Sequence, residues 1–321
     1  MIPVGNLILV LKQAQAFPGL TLIPVYNKAN YYHENILLGD AVAKEQVTVK
    51  EMANSRVQAL EVTSTQSNVI CVKGTLLEGG GQDRQVVRSC ILAKGTSQIP
   101  VQCVQHGRWN PQGQKTFSSA KTMTTSYMRH GKQDQTQTWN TINSYESSTT
   151  RSATESLRCT MSITLDSKKL MSETVTTHRV QVNETTQNTR SKARNIKEKI
   201  NPVRPGQVGI FAIRFAGSEN QQPKFLLEAV ANPVLWEQMH HSVVDSLIYD
   251  AAISHSDKKP VIDVRKVAAF LKDLQKGKWQ KAPAVGIEDG WELTQSSLRG
   301  EAICHKHLPI PVHIMASENC I

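Results

Sequence analysis

The segment Leu77-Glu78-Gly79-Gly80-Gly81-Gln82-Asp83-Arg84 places three consecutive glycines between an acid and a guanidinium. Glycine lets a chain turn sharply with its N–H groups aimed into one concavity, and arginine presents a planar fork that matches phosphate or carboxylate. The chemistry open to such a turn is anion binding. Gly79, Gly80, Gly81 and Gln82 would supply donors, Arg84 the charge, and Glu78 a group able to exchange a proton. The segment is not a Walker loop, because no G-K-[ST] follows, and it is not the G-x-G-x-x-G dinucleotide fingerprint. Equally, the same residues would make a hairpin turn with Glu78 and Arg84 as solvent charges.

A second segment, from Pro100 to Trp109, reads as a strand running into a turn that collects Gln105, His106, Arg108 and Trp109. Tryptophan and arginine suit a planar, charged ligand that must be stacked and neutralised, and His106 could move a proton near neutral pH. A nucleotide would satisfy all three. The plainer alternative makes Trp109 a core anchor and His106 a structural residue.

Other constellations carry less. Cys304, His305, His307, His313 and Cys320 are soft ligand types, but in a strand His305 and His307 would share a face from which Cys304 points away, so no metal site is expected. No cofactor is expected either. His240 and His241 are neighbours on a helix and cannot converge on one ligand, so they read as surface or interface residues. The basic run Arg190, Lys192, Arg194, Lys197 and Lys199 reads as a solvated face, which makes long nucleic acid a weaker partner than a small anion. No Ser-His-Asp or Cys-His order is legible, and Gly-x-Ser-x-Gly is absent.

The elements that must hold these segments are mostly short strands. After a helical turn from about Glu34 to Val42, period-two alternation starts at Val47, and further strand patterns run over 57–62, 69–76, 85–92 and 99–104. Regular short strands at that spacing predict an antiparallel sheet or sandwich. Trp139 and Ile142 put one helical face on 134–145, whereas 146–201 is too polar to separate helix from loop. Val208 to Ile213 reads as a buried strand. Asn232 before Pro233 has the form of an N-cap with proline at the first helical position, and a second helix spans about 263–276 with Gly277 as its stop. The fold class predicted is α+β: a β-rich N-terminal part packed with helices from the C-terminal half. The 321 residues fit one large domain, with sub-lobes 1–145, β-rich, and 146–321, mixed.

Composition bounds the partners. With 39% hydrophobic and 20% charged residues the chain can bury a substantial core, and its formal charge of +10 attracts phosphates and acidic surfaces. The apolar run from Leu7 to Leu11 follows no basic segment and is far shorter than the roughly 20 residues that span a bilayer, so no membrane partner is expected. Six dispersed cysteines without a C-x-x-C pair fit reduced thiols in a cytoplasm.

The strings E-G-G-G-Q-D-R and C-V-Q-H-G-R-W, followed by Arg129 and the segment from Gln135 to Trp139, resemble the family named for genomic association with ADP-ribosylglycohydrolases and rhodanese-phosphatases. The likeness continues through Gly206 to Gly209, Phe225, the helix around Trp236, Trp291-Glu292-Leu293 and His313-Ile314. The resemblance implies a nucleotide-type ligand, because the family's gene neighbourhoods concern ADP-ribose, NAD-derived metabolites and cellular conflict, and it adds Arg129 to the ligand-binding set. Gln105 stands where the family pattern has glutamate, and an amide cannot exchange protons as a carboxylate does. The function expected is binding and metal-independent cleavage of an anionic nucleotide derivative, such as an ADP-ribose compound or a cyclic oligoadenylate in prokaryotic defence, with a homodimer compatible. A sensor that binds the same ligand without turnover, and a scaffold protein, are the alternatives.

Overall fold

A computed structural model describes residues 9–28, 33–53, 57–104, 115–131, 134–140, 184–215, 222–254, 256–306, 308 and 310–318. Among the described residues strands outweigh helices, 42% against 25%, so sheets set the architecture and the α+β expectation holds only in part.

Strands β5 (Val47–Glu51), β6 (Ala59–Ser64), β8 (Thr75–Gly79), β9 (Arg84–Val86), β11 (Gly95–Cys103) and β12 (Thr116–Met123) pair antiparallel, as expected, but close into a six-stranded barrel. The pairing of β9 with β11 shuts it, which removes the free edges that an open sheet would leave. Its interior is filled by Val49, Leu60, Val62, Leu77, Val86, Val101 and Phe117. Helix α1 (Leu38–Ala43) packs beside β12 and β5. Strands β4 (Ile36–Leu37), β7 (Val69–Cys71) and β10 (Cys90–Leu92) form a small separate sheet.

The second body is a nine-stranded antiparallel sheet built from both ends of the chain. The N-terminal part gives β1 (Leu9–Leu11), β2 (Gln15–Phe17) and β3 (Leu20–Asn27). The rest comes from β13 (Gln207–Arg214), β14 (Lys224–Val230), β15 (Trp279–Ala282), β16 (Glu288–Thr294), β17 (Leu298–His305) and β18 (Pro311–Glu318). The C-terminal half thus supplies six strands of this sheet together with helices that pack on it.

One face of this sheet packs Ile210, Ala212, Leu226, Val230 and Ile303 against helix α4 (Pro233–Ile253), and the other buries Phe211, Phe225 and Ala302 against helix α5 (Val264–Lys276). Both helices start as their sequences dictate. Asn232 accepts from the Leu235 N–H at 2.9 Å with Pro233 at the first position, and Asp263 accepts from the N–H groups of Arg265 and Lys266. Helix α3 (Glu184–Lys197) packs on α4. Among the described residues, no helix is long and apolar enough to cross a membrane.

Two expected strands break. The run 69–76 splits at Lys73-Gly74, and 85–92 splits at Val87-Arg88-Ser89. Gly74 carries φ +85°, and a Cβ there would drive into the Arg129 side chain, so only glycine lets that arginine pass. Arg129 belongs to helix α2 (Ser126–His130), whose Ser126 and Tyr127 N–H are tied to Asp250 of α4.

Candidate functional site

Strand register brings Glu228 of β14, Met315 of β18, Glu301 of β17 and Glu292 of β16 into one cross-strand row, with Ser317, Arg299 and Thr294 in the next. Because side chains alternate along a strand, both rows share one face of the sheet. Opposite that face stand the outer wall of the barrel and the end of α2. Between them lies a pocket of about 760 Å³, within the range that small-molecule sites occupy. Lys73, Arg88, Arg129, His130 and Arg299 line it, with Glu292 and Glu301, and the partly exposed Val87, Pro100 and Val285 form its apolar wall.

A closed circuit of hydrogen bonds sets the floor. The Lys73 N–H donates to Ser89 Oγ at 3.0 Å, and the Ser89 hydroxyl hydrogen-bonds His313 Nδ1 at 3.2 Å. His313 Nε2 then donates to Glu228 Oε1 at 3.1 Å. Glu228 also takes the Arg129 guanidinium, and Arg129 Nε returns to the Lys73 carbonyl at 3.2 Å. Burial pushes the Glu228 carboxyl up, but Arg129 first, then the His313 hydrogen bond and ring, more than offset this and hold it at about 2. A serine, histidine and glutamate in line suggest a nucleophile relay, but Ser89 is only 1% exposed and the circuit consumes its hydroxyl. Its role is to fix Lys73 and Arg129.

Above the floor, Lys73 Nζ meets Glu301 Oε2 at 3.2 Å, and the other oxygen of Glu301 accepts the Ser89 N–H at 2.9 Å. Arg88 reaches Glu292 and the Pro283 carbonyl. Arg299 has no carboxylate within ion-pair reach among the described residues. The lining cations exceed Glu292, Glu301 and the underlying Glu228 by one positive charge. Such a site can take an anion on its cations while its carboxylates accept from hydroxyl groups.

His130 closes the α2 side of the pocket. Burial, then the charge of Arg129, pulls its imidazole well below the ordinary histidine value of 6.5, with Lys73 and Arg214 acting the same way and Glu228 opposing. The ring is therefore neutral at pH 7. No described residue hydrogen-bonds it.

The glycine-rich turn has a different environment. Gly79 and Gly80 adopt φ +117° and +59°, and a Cβ at Gly80 would enter the Phe117 ring, so both positions require glycine. The N–H of Gly79 donates to Asp83 Oδ1 at 3.0 Å, that of Gly81 to Glu51 Oε1 at 3.3 Å, and that of Gly80 to the Thr116 carbonyl at 3.3 Å. The donors expected to hold an external anion thus hold the chain's own acceptors. Arg84 points into the barrel with 0% exposure, bonded to Gln82 and 3.6 Å from Glu51, while Cys103 Sγ donates to Gln82 at 2.9 Å. Glu78 is half-buried on β8. None of Glu78 to Arg84 lines the described pocket.

Gln105, His106, Arg108 and Trp109 fall outside the described residues. Of the predicted site residues, Arg129 alone is placed in the pocket. Lys73, Arg88, His130, Arg299 and Glu301 were not singled out from sequence; only the breaks in two strand patterns mark the first two. Among the described residues no group of three metal-ligating side chains converges.

A family model described as the ARG and Rhodanese-Phosphatase-superfamily-associated Protein domain matches residues 8–316, so the chain belongs to that family. No curated protein and no solved structure matches it.

Proposed function

We propose, taking membership of this family as the premise, that the pocket between barrel and sheet binds an anionic nucleotide-derived ligand and that the protein processes it. The carrying observation is the convergence of Lys73, Arg88, Arg129 and Arg299 on one cavity that also holds carboxylates and an apolar wall. Guanidinium and ammonium groups would hold phosphate, Glu292 and Glu301 would accept ribose hydroxyls, and Val87, Pro100 and Val285 would cover a base. The small charge surplus favours a nucleotide with dispersed charge over a bare polyphosphate. The family's description, which couples it to ADP-ribosylglycohydrolases, supports ADP-ribose derivatives, and cyclic oligoadenylates meet the same chemical requirements.

Calorimetric titration of the full chain with ADP-ribose, NAD and cyclic oligoadenylates, each followed by product analysis, tests this reading. Saturable binding that Arg299→Ala weakens is the expected result. Binding without product would make the protein a sensor, and no binding by any of these ligands would contradict the proposal.

A further inference from the structure

We propose that His130 is the general base of this pocket and that it activates a ribose 2′-hydroxyl to cleave an adjacent phosphodiester. The inference rests on the nucleotide reading above and names its reaction.

A site built only to hold an anion gains from further cations, yet one wall here is an imidazole. His130 follows Arg129 at the end of α2, is half-buried, lines the cavity, and is not hydrogen-bonded by any described residue. Around it lie Arg129, Lys73, Arg214 and Glu228, with Arg88, Arg299, Glu292 and Glu301 on the facing walls. Burial, then the neighbouring positive groups, keep the ring unprotonated at neutral pH, which is the state a base must have before it acts. Lys73 and Arg299 are placed to stabilise charge that gathers on phosphate oxygens during attack. A phosphodiester carries one charge per phosphate, which suits the single surplus positive charge of the lining.

In the step proposed, His130 takes the 2′-hydroxyl proton as that oxygen bonds to phosphorus. The bond from phosphorus to the 5′-oxygen breaks with its electron pair on that oxygen. A pocket water protonates the 5′-oxygen, and the imidazolium proton neutralises the hydroxide left behind. The products are a 2′,3′-cyclic phosphate and a 5′-hydroxyl, with no oxidant or second substrate.

The test uses the full chain with cyclic tetra-adenylate, its 2′-deoxy analogue and ADP-ribose, each scored for binding and for product. Wild type is expected to cleave the ribonucleotide to ends bearing 2′,3′-cyclic phosphate and to bind the deoxy analogue uncut. His130→Asn should bind within about two-fold of wild type and lose on the order of 100-fold or more in turnover. Wild-type turnover should stay flat from pH 8 down to 6.5 and fall only below that, a limb that His130→Asn should lack. Melting temperatures accompany each variant, and His130→Gln replaces the asparagine if that variant unfolds. Binding of cyclic tetra-adenylate without cleavage, or cleavage that survives both substitutions, would overturn the role of His130 and leave the binding site standing. Absence of binding by all three ligands would overturn both.

Discussion

Arg84 and Arg88 leave the same short stretch of chain in opposite directions. Arg84 shares the barrel interior with Leu77 and Val86, where its guanidinium bonds Gln82 and lies 3.6 Å from Glu51. Arg88 sits past the end of β9, where the strand has stopped, and lines the pocket facing the sheet. Residue type was the same in both places. What separated them was whether the local strand continued, since a strand alternates its side chains between faces and a break releases them from that rule. Both arginines have a carboxylate partner, but Arg84 is fully buried beside Glu51, whereas Arg88, paired with Glu292, is partly exposed on the pocket wall and can meet a ligand.

The largest expected effect tests the circuit beneath the pocket. Glu228→Gln leaves the Arg129 guanidinium buried without its carboxylate, which should destabilise the fold by about 3–5 kcal/mol in denaturant titration. A loss under about 1 kcal/mol would show that Arg129 finds another partner. The same pair sets an acid limit. With the folded carboxyl at about 2 and the ordinary value at 4.5, the stabilisation is complete above 4.5 and disappears as pH falls toward 2. Melting curves over that interval should slope for wild type and flatten for the variant.

Next in size is Gly74→Ala. A side chain there meets both a left-handed backbone and the stem of Arg129, so melting should fall and ligand affinity should fall with it, because Arg129 is displaced. An alanine variant with wild-type affinity would separate Arg129 from the site.

Smaller effects come from solution conditions. Affinity for a charged ligand should drop a few-fold as salt rises, since Arg299 is partly exposed and open to screening. Indifference to salt would mean that a different, fully buried group dominates. Chelation should leave melting and binding unchanged, and a shift of several degrees on adding chelator would point to a metal.

Much of the fold was legible because periodicity and caps act locally. β5, β13, α4 and α5 fall where alternation, Asn232, Pro233 and Asp263 put them. The barrel was not legible, since closure depends on β9 meeting β11, and no pattern within either strand encodes its partner. The strands from β14 to β18, apart from the segment around His305, gave no local signal that was read, although they form the sheet that carries the pocket. Arg129 was identified through resemblance, not spacing. Lys73 and Arg299 are 226 positions apart and meet only through sheet register, so neither stood out. The glycine-rich turn stood out strongly, because a strained turn that packs on an aromatic ring and one that cradles a ligand demand the same residues.

One paired measurement bears most directly on the distinction between the two kinds of arginine: thermal midpoint and ADP-ribose affinity on Arg84→Ala and Arg299→Ala. Arg84→Ala should lower the midpoint, reflecting a loss of about 3 kcal/mol as Glu51 is left buried, with affinity per folded molecule unchanged. Arg299→Ala should leave the midpoint in place and weaken binding by roughly 10- to 100-fold. The reverse ranking, with binding lost at Arg84 and stability lost at Arg299, would return the site to the glycine-rich turn and contradict the pocket as the seat of function.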